Sequence, residues 1–83
     1  MASNAIAQMR IKLTQLQMER TSLQVEAKGL CRTITGLLVP ELTEIEEMEV
    51  AKAASYMDDL VVKQGELISL QTKIWELEKA LGN

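Results

Sequence analysis

Residues 6–30 read IAQMRIKLTQLQMERTSLQVEAKGL, and the spacing of their apolar side chains decides the fold. With Ile6 at position a of a heptad, the a and d positions are Ile6, Met9, Leu13, Leu16, Arg20, Leu23, Ala27 and Leu30. Ile34 and Leu37 continue the series. The steps alternate between three and four residues, which is the period of a helix with one apolar seam and not of a strand. Gln, Thr, Lys, Arg and Glu fill the remaining positions, and most of them tolerate or favour a helix.

Gly29 and the run Thr33-Ile34-Thr35 lower helix propensity towards the end of the series. The first helix is therefore expected over about residues 4–35, with Gly36 as the left-handed residue that ends it and Leu37 folding back on the last turn. An earlier end at Lys28, capped by Gly29, is the alternative. Beyond Leu37 the heptad meets Glu41 and Glu44, and Pro40 has no N–H to donate, so about residues 36–40 are expected to be a turn.

The second helix is expected over about residues 41–81. Pro40 suits a first helical turn, and Thr43 with Glu46 fits a capping box. Glu41, Glu44, Glu46, Glu47 and Glu49 would sit where the helix dipole favours negative charge. A second seam follows: Ala53, Tyr56, Leu60, Lys63, Leu67, Leu70, Ile74, Leu77 and Leu81. Its phase slips between about residues 45 and 53, where Leu42, Ile45 and Met48 or Val50 are expected to carry the contact. Gly65 costs about 1 kcal/mol against alanine without stopping the helix, and Gly82 closes it.

Two long helices joined by a short connection run antiparallel. The expected fold is all-α, a coiled-coil-like antiparallel helical hairpin forming a single domain 1–83 and assembling into a four-helix bundle. Counting back from the turn pairs Ala27 with Ala53, Leu23 with Tyr56, Leu13 with Leu67 and Ile6 with Ile74. It sets Arg20 near Asp59, and Lys28 and Arg32 near Glu47, Glu49 and Lys52, mostly opposite in sign. A register slipped by one heptad is the alternative.

Composition agrees with this architecture. Aromatic residues make up 2 % of the chain, namely Tyr56 and Trp75, so the core must be aliphatic. Residues 1–38 hold five cations against two acids, a net +3, while residues 39–83 hold four cations against ten acids, a net −6. Halves of opposite charge are expected to lie side by side. An acidic pI near 4.9 and the lack of a basic stripe point away from nucleic acid.

Catalytic chemistry has little to work with. There is no histidine to serve as a base beside a serine or cysteine nucleophile, and no P-loop or GxGxxG motif. One cysteine and no histidine point away from zinc, and no cofactor or small-molecule substrate is expected. Glu41, Glu44 and Glu47 lack the loop and glycine pattern of a calcium site. The lone Cys31 cannot form an internal disulfide, which fits a reducing, cytoplasmic setting. No signal peptide is expected at Met1-Ala2-Ser3-Asn4. No apolar run exceeds three residues against the roughly 18 a membrane span needs, and the cations are too scattered for a membrane-surface helix.

What remains is surplus apolar surface. Ile11, Met18 and Val25 recur every seven residues at position f of the first helix, nearly opposite its seam. On the second helix Ala54, Val61, Ile68 and Trp75 recur at position b, with Val50 and Met57 beside them. Helices with two apolar faces normally have two partners. The chain is therefore expected to be a non-enzymatic protein–protein interaction module and a homo-oligomer, a dimer first of all. An assembly chaperone or adaptor holding an amphipathic helix of a client is the alternative. Arg20 and Lys63 break the two seams, either with their heads drawn out to the rim or as devices that fix register.

Overall fold

The computed structural model describes residues 2–82; Met1 and Asn83, the ends of the expected domain, lie outside the described residues. Helix α1 spans Ala2–Leu37 and helix α2 spans Val50–Ala80, with a short 3₁₀ turn at Ile45–Glu47 between them. The two helices pack along each other as an antiparallel hairpin measuring 65 × 15 × 15 Å. Among the described residues there is no strand.

The seams are those of the heptad reading. Leu13, Leu16, Leu70 and Ile74 form the central buried cluster, and Leu23, Leu77 and Leu81 pack against it. Ala27 and Ile34 on α1 and Ala53 on α2 are the other buried residues among those described. Tyr56, Leu60, Lys63 and Leu67 are half-buried on the same seam.

Register differs from the first expectation by one heptad. Leu13 and Leu16 meet Leu70 and Ile74, and Glu26 lies beside Lys63. The cause is the length of the connection, which is Leu38–Glu49 and not residues 36–40. A later start for α2 moves every pairing later along it. Arg20 consequently lies among Gln64, Leu67, Gln71 and Thr72, away from Asp59. Ile6 keeps its seam position but is 44 % exposed, because only the end of α2 remains opposite it.

Helix α1 runs to Leu37 and includes Gly36 in helical conformation; Gly82, at φ 79°, is the one described glycine with positive φ. Neither Gly29 nor Gly36 ends the helix. Buried Ile34 and half-buried Leu37 hold its last turns against α2. The Thr33 and Thr35 hydroxyls donate to the carbonyls of Gly29 and Cys31 at 3.0 and 2.8 Å, so these β-branched residues settle within the helix.

Helix α2 begins at Val50, nine residues after the expected start at Glu41. Residues 39–43 form a turn in which the N–H groups of Leu42 and Thr43 donate to the Val39 carbonyl. Glu44 and Met48 are extended, and neither Glu44 nor Glu49 makes a side-chain cap. The expected Pro40 start and Thr43–Glu46 box do not initiate a helix. Two physical reasons apply. A helix over 41–49 would place Glu41, Glu44 and Glu47 on one face, where like charges three or four residues apart repel. It would also run past the end of α1 at Leu37, leaving Leu42 and Ile45 nothing to pack against, and packing, more than propensity, sustains helices in proteins. Leu42 and Ile45, expected to carry the seam near the turn, are instead 83 % and 63 % exposed, and of the contact residues there only Met48 is half-buried.

Candidate interaction surface

Heptad geometry sends the f positions of α1 directly away from α2, and the structure agrees. Ile11, Met18 and Val25 are 59–68 % exposed, and the hollow that holds Met18 and Val25 is lined by α1 residues alone. The b positions of α2 lie to one side of the hairpin. Val61, Ile68 and Trp75 are 60–62 % exposed, with Met57 at 46 % and Val50 at 52 % beside them. Ile68 shares a surface hollow with Arg20 and Gln24 of α1, and Trp75 shares one with Arg20, Gln71 and Glu78. The two stripes thus occupy different sides of the molecule, and a single flat partner does not cover both.

The two long faces of the hairpin differ in charge. Around Ile68 and Trp75 the lining is mainly Gln24, Gln64, Gln71 and Thr72, with Arg20 and Glu78 the charged members. The opposite face presents Lys12, Glu19, Glu66, Lys73 and Glu76 around Leu16, Leu23 and Leu77. Charge depletion combined with exposed aromatic and aliphatic side chains is the composition of an interface core. The glutamines are the part of this surface that heptad reading passed over. Their position-e spacing at 64 and 71 was the available signal.

Trp75 is held from one side by Lys79, whose Nζ lies 4.5 Å from the ring centroid. This cation–π contact is worth about 0.5–1 kcal/mol at an exposed site, and Trp75 remains 60 % exposed.

Of the two seam breaks, Lys63 has a partner. Its Nζ donates to Glu26 Oε2 at 2.9 Å, bridging the helices. The hydrogen bond to Glu26 is the main cause that holds the ammonium pKa above its ordinary 10.5; desolvation opposes it, and the negative charges of Glu26, Glu66 and Asp59 each add a smaller upward push. This bridge joins an acid of the basic half to a base of the acidic half. The described salt bridges otherwise comprise Lys52 with Glu49 at 3.8 Å within one chain segment. The expected pairing of Lys28 and Arg32 with Glu47 and Glu49 does not form, because the shifted register separates them. Half-buried Arg20 makes no ion pair among the described residues.

No group of three or more metal-ligating side chains occurs among the described residues, and no described helix is long and apolar enough to cross a membrane. Cys31 is exposed and unpaired. Comparison with family models, with curated proteins and with solved structures gives no match.

Proposed function

We propose that the chain is a non-enzymatic protein–protein interaction module, a coiled-coil hairpin of the cytoplasm that self-associates and serves as a structural or assembly component. The observation that carries this reading is the exposure of Val61, Ile68 and Trp75 on a face poor in charge. Large apolar side chains recurring on a charge-poor face in this way are a common mark of a contact site. A second copy is the simplest partner, since symmetric dimers are the commonest assemblies. The exposed free thiol of Cys31 fits a reducing compartment.

A second reading, an assembly chaperone or adaptor, is favoured by the hollows between Arg20, Gln24, Ile68 and Trp75. These run between the two helices, where an amphipathic helix of a client would lie. Trp75 is the only tryptophan and reports directly on the choice. Self-association predicts blue-shifted, quencher-protected emission at high concentration that moves to the red on dilution. Emission of an exposed indole at every concentration, in the pure protein, would remove self-association through this face and favour the client reading.

A further inference from the structure

The α2 stripe is self-complementary when read against its own reverse. Its members Ala54, Val61, Ile68 and Trp75 are spaced by seven, and their side chains grow from the smallest to the largest along the helix. Laid antiparallel on a copy of itself, the smallest residue meets the largest and the two intermediate ones meet each other. The centre of that pairing falls between Gln64 and Gly65. Gly65 is also the middle residue of the 31-residue α2, so this register costs no helical overlap. A Cβ added at Gly65 meets nothing within 4 Å in the hairpin, and the bare backbone there permits close approach of another helix.

Charge favours the same direction. The turn end of the hairpin carries Glu41, Glu44, Glu46, Glu47 and Glu49, with Arg32 and Lys52 the nearby cations. The open end carries Arg10, Lys12, Lys73 and Lys79 against Glu76 and Glu78. Antiparallel copies set each acidic end beside the other's basic end, whereas parallel copies set like on like. In the register above, Lys79 over Trp75 comes opposite Glu49 and Val50 of the partner subunit. The flanks near the axis are Gln64 and Gln71, with Asp58 the charged member, set opposite the amide of the partner's Gln71.

We propose, resting on the self-association reading, that two copies pair α2 against α2 antiparallel about a two-fold axis beside Gly65. Ala54 then faces the partner's Trp75, and Val61 faces the partner's Ile68. The two α2 stripes, one from each copy, become the centre of a four-helix bundle in which α1 lies over α1. The Ile11–Met18–Val25 stripe stays outside this contact.

Light scattering combined with pulsed electron-spin distances tests the arrangement. Nitroxide labels are placed at Gln64→Cys, or separately at Glu78→Cys, in a Cys31→Ser background whose helicity matches the parent. The expected result is a dimer with Gln64 labels within about 20 Å, since packed helices lie 8–10 Å apart. Glu78 labels should lie about 40 Å apart, from the 1.5 Å rise per residue on each side of the axis. A dimer whose Glu78 labels are as close as its Gln64 labels is parallel, and one in which both pairs are far apart uses another face. Either result overturns this arrangement and leaves self-association standing. A monomer at all concentrations overturns both.

Discussion

Leu70 and Ile68 are two residues apart on α2, yet the structure assigns them opposite fates on truncation to alanine. Leu70 is 5 % exposed and packs with Leu13, Leu16 and Ile74, while Ile68 is 61 % exposed. Buried leucine-to-alanine changes cost about 2–5 kcal/mol, less where neighbours can close the cavity. A hairpin 15 Å thick leaves its seam room to close, so Leu70→Ala should cost about 2–3 kcal/mol. Against a stability of about 4–12 kcal/mol expected at this length, that is a large share. It corresponds to a fall in Tm of about 10–20 °C. Ile68→Ala loses only the covered part of its side chain, under about 1 kcal/mol, partly offset by the better helix propensity of alanine. In dilute protein its Tm should therefore lie close to wild type. As concentration rises, the wild type should gain stability from assembly by mass action and Ile68→Ala should gain less. Circular-dichroism melts across a hundredfold concentration range measure both effects. Equal losses for the two variants in dilute protein would refute the assignment of seam and stripe.

Three further perturbations follow from particular contacts. Arg20→Leu replaces a half-buried cation lacking an acidic partner among the described residues, and should raise Tm; unchanged register and oligomer number in that variant would show that Arg20 is no registry device. Gly36→Ala should stabilise by about 0.5–1 kcal/mol, because Gly36 is helical and a Cβ there meets nothing within 4 Å; destabilisation would mean a left-handed residue. The Lys63–Glu26 bridge contributes fully below the ordinary lysine value of 10.5, and its contribution is lost as pH rises through the raised value of the folded state. Melts of wild type and Glu26→Gln should thus converge above that range, and a difference constant with pH would contradict the bridge.

Both seams were legible because burial follows helical period. Buried Leu13, Leu16, Ala27, Ile34, Ala53, Leu70 and Ile74 all fall on heptad positions, and both exposed stripes fall where the same wheel puts them. The connection was not legible, and register was lost with it. Pro40, Thr43 and Glu46 carry local signals for a helix start, but a helix there has nothing to pack against, and local chemistry yields to the missing tertiary contact. Gly36 misled in the opposite sense: its conformational freedom goes unused because Ile34 and Leu37 hold the turn around it in helical form. Charge asymmetry between the halves describes the ends of the hairpin better than the contact between its helices, where the cross-helix bridge is Lys63 with Glu26.

Molar mass in solution tests the central claim most directly. Light scattering on an eluting peak, over a wide concentration range, should give a multiple of the chain mass of 9.3 kDa, twice that value in the arrangement proposed here. A mass of 9.3 kDa at every concentration would contradict self-association and leave the apolar face of α2 to a different protein.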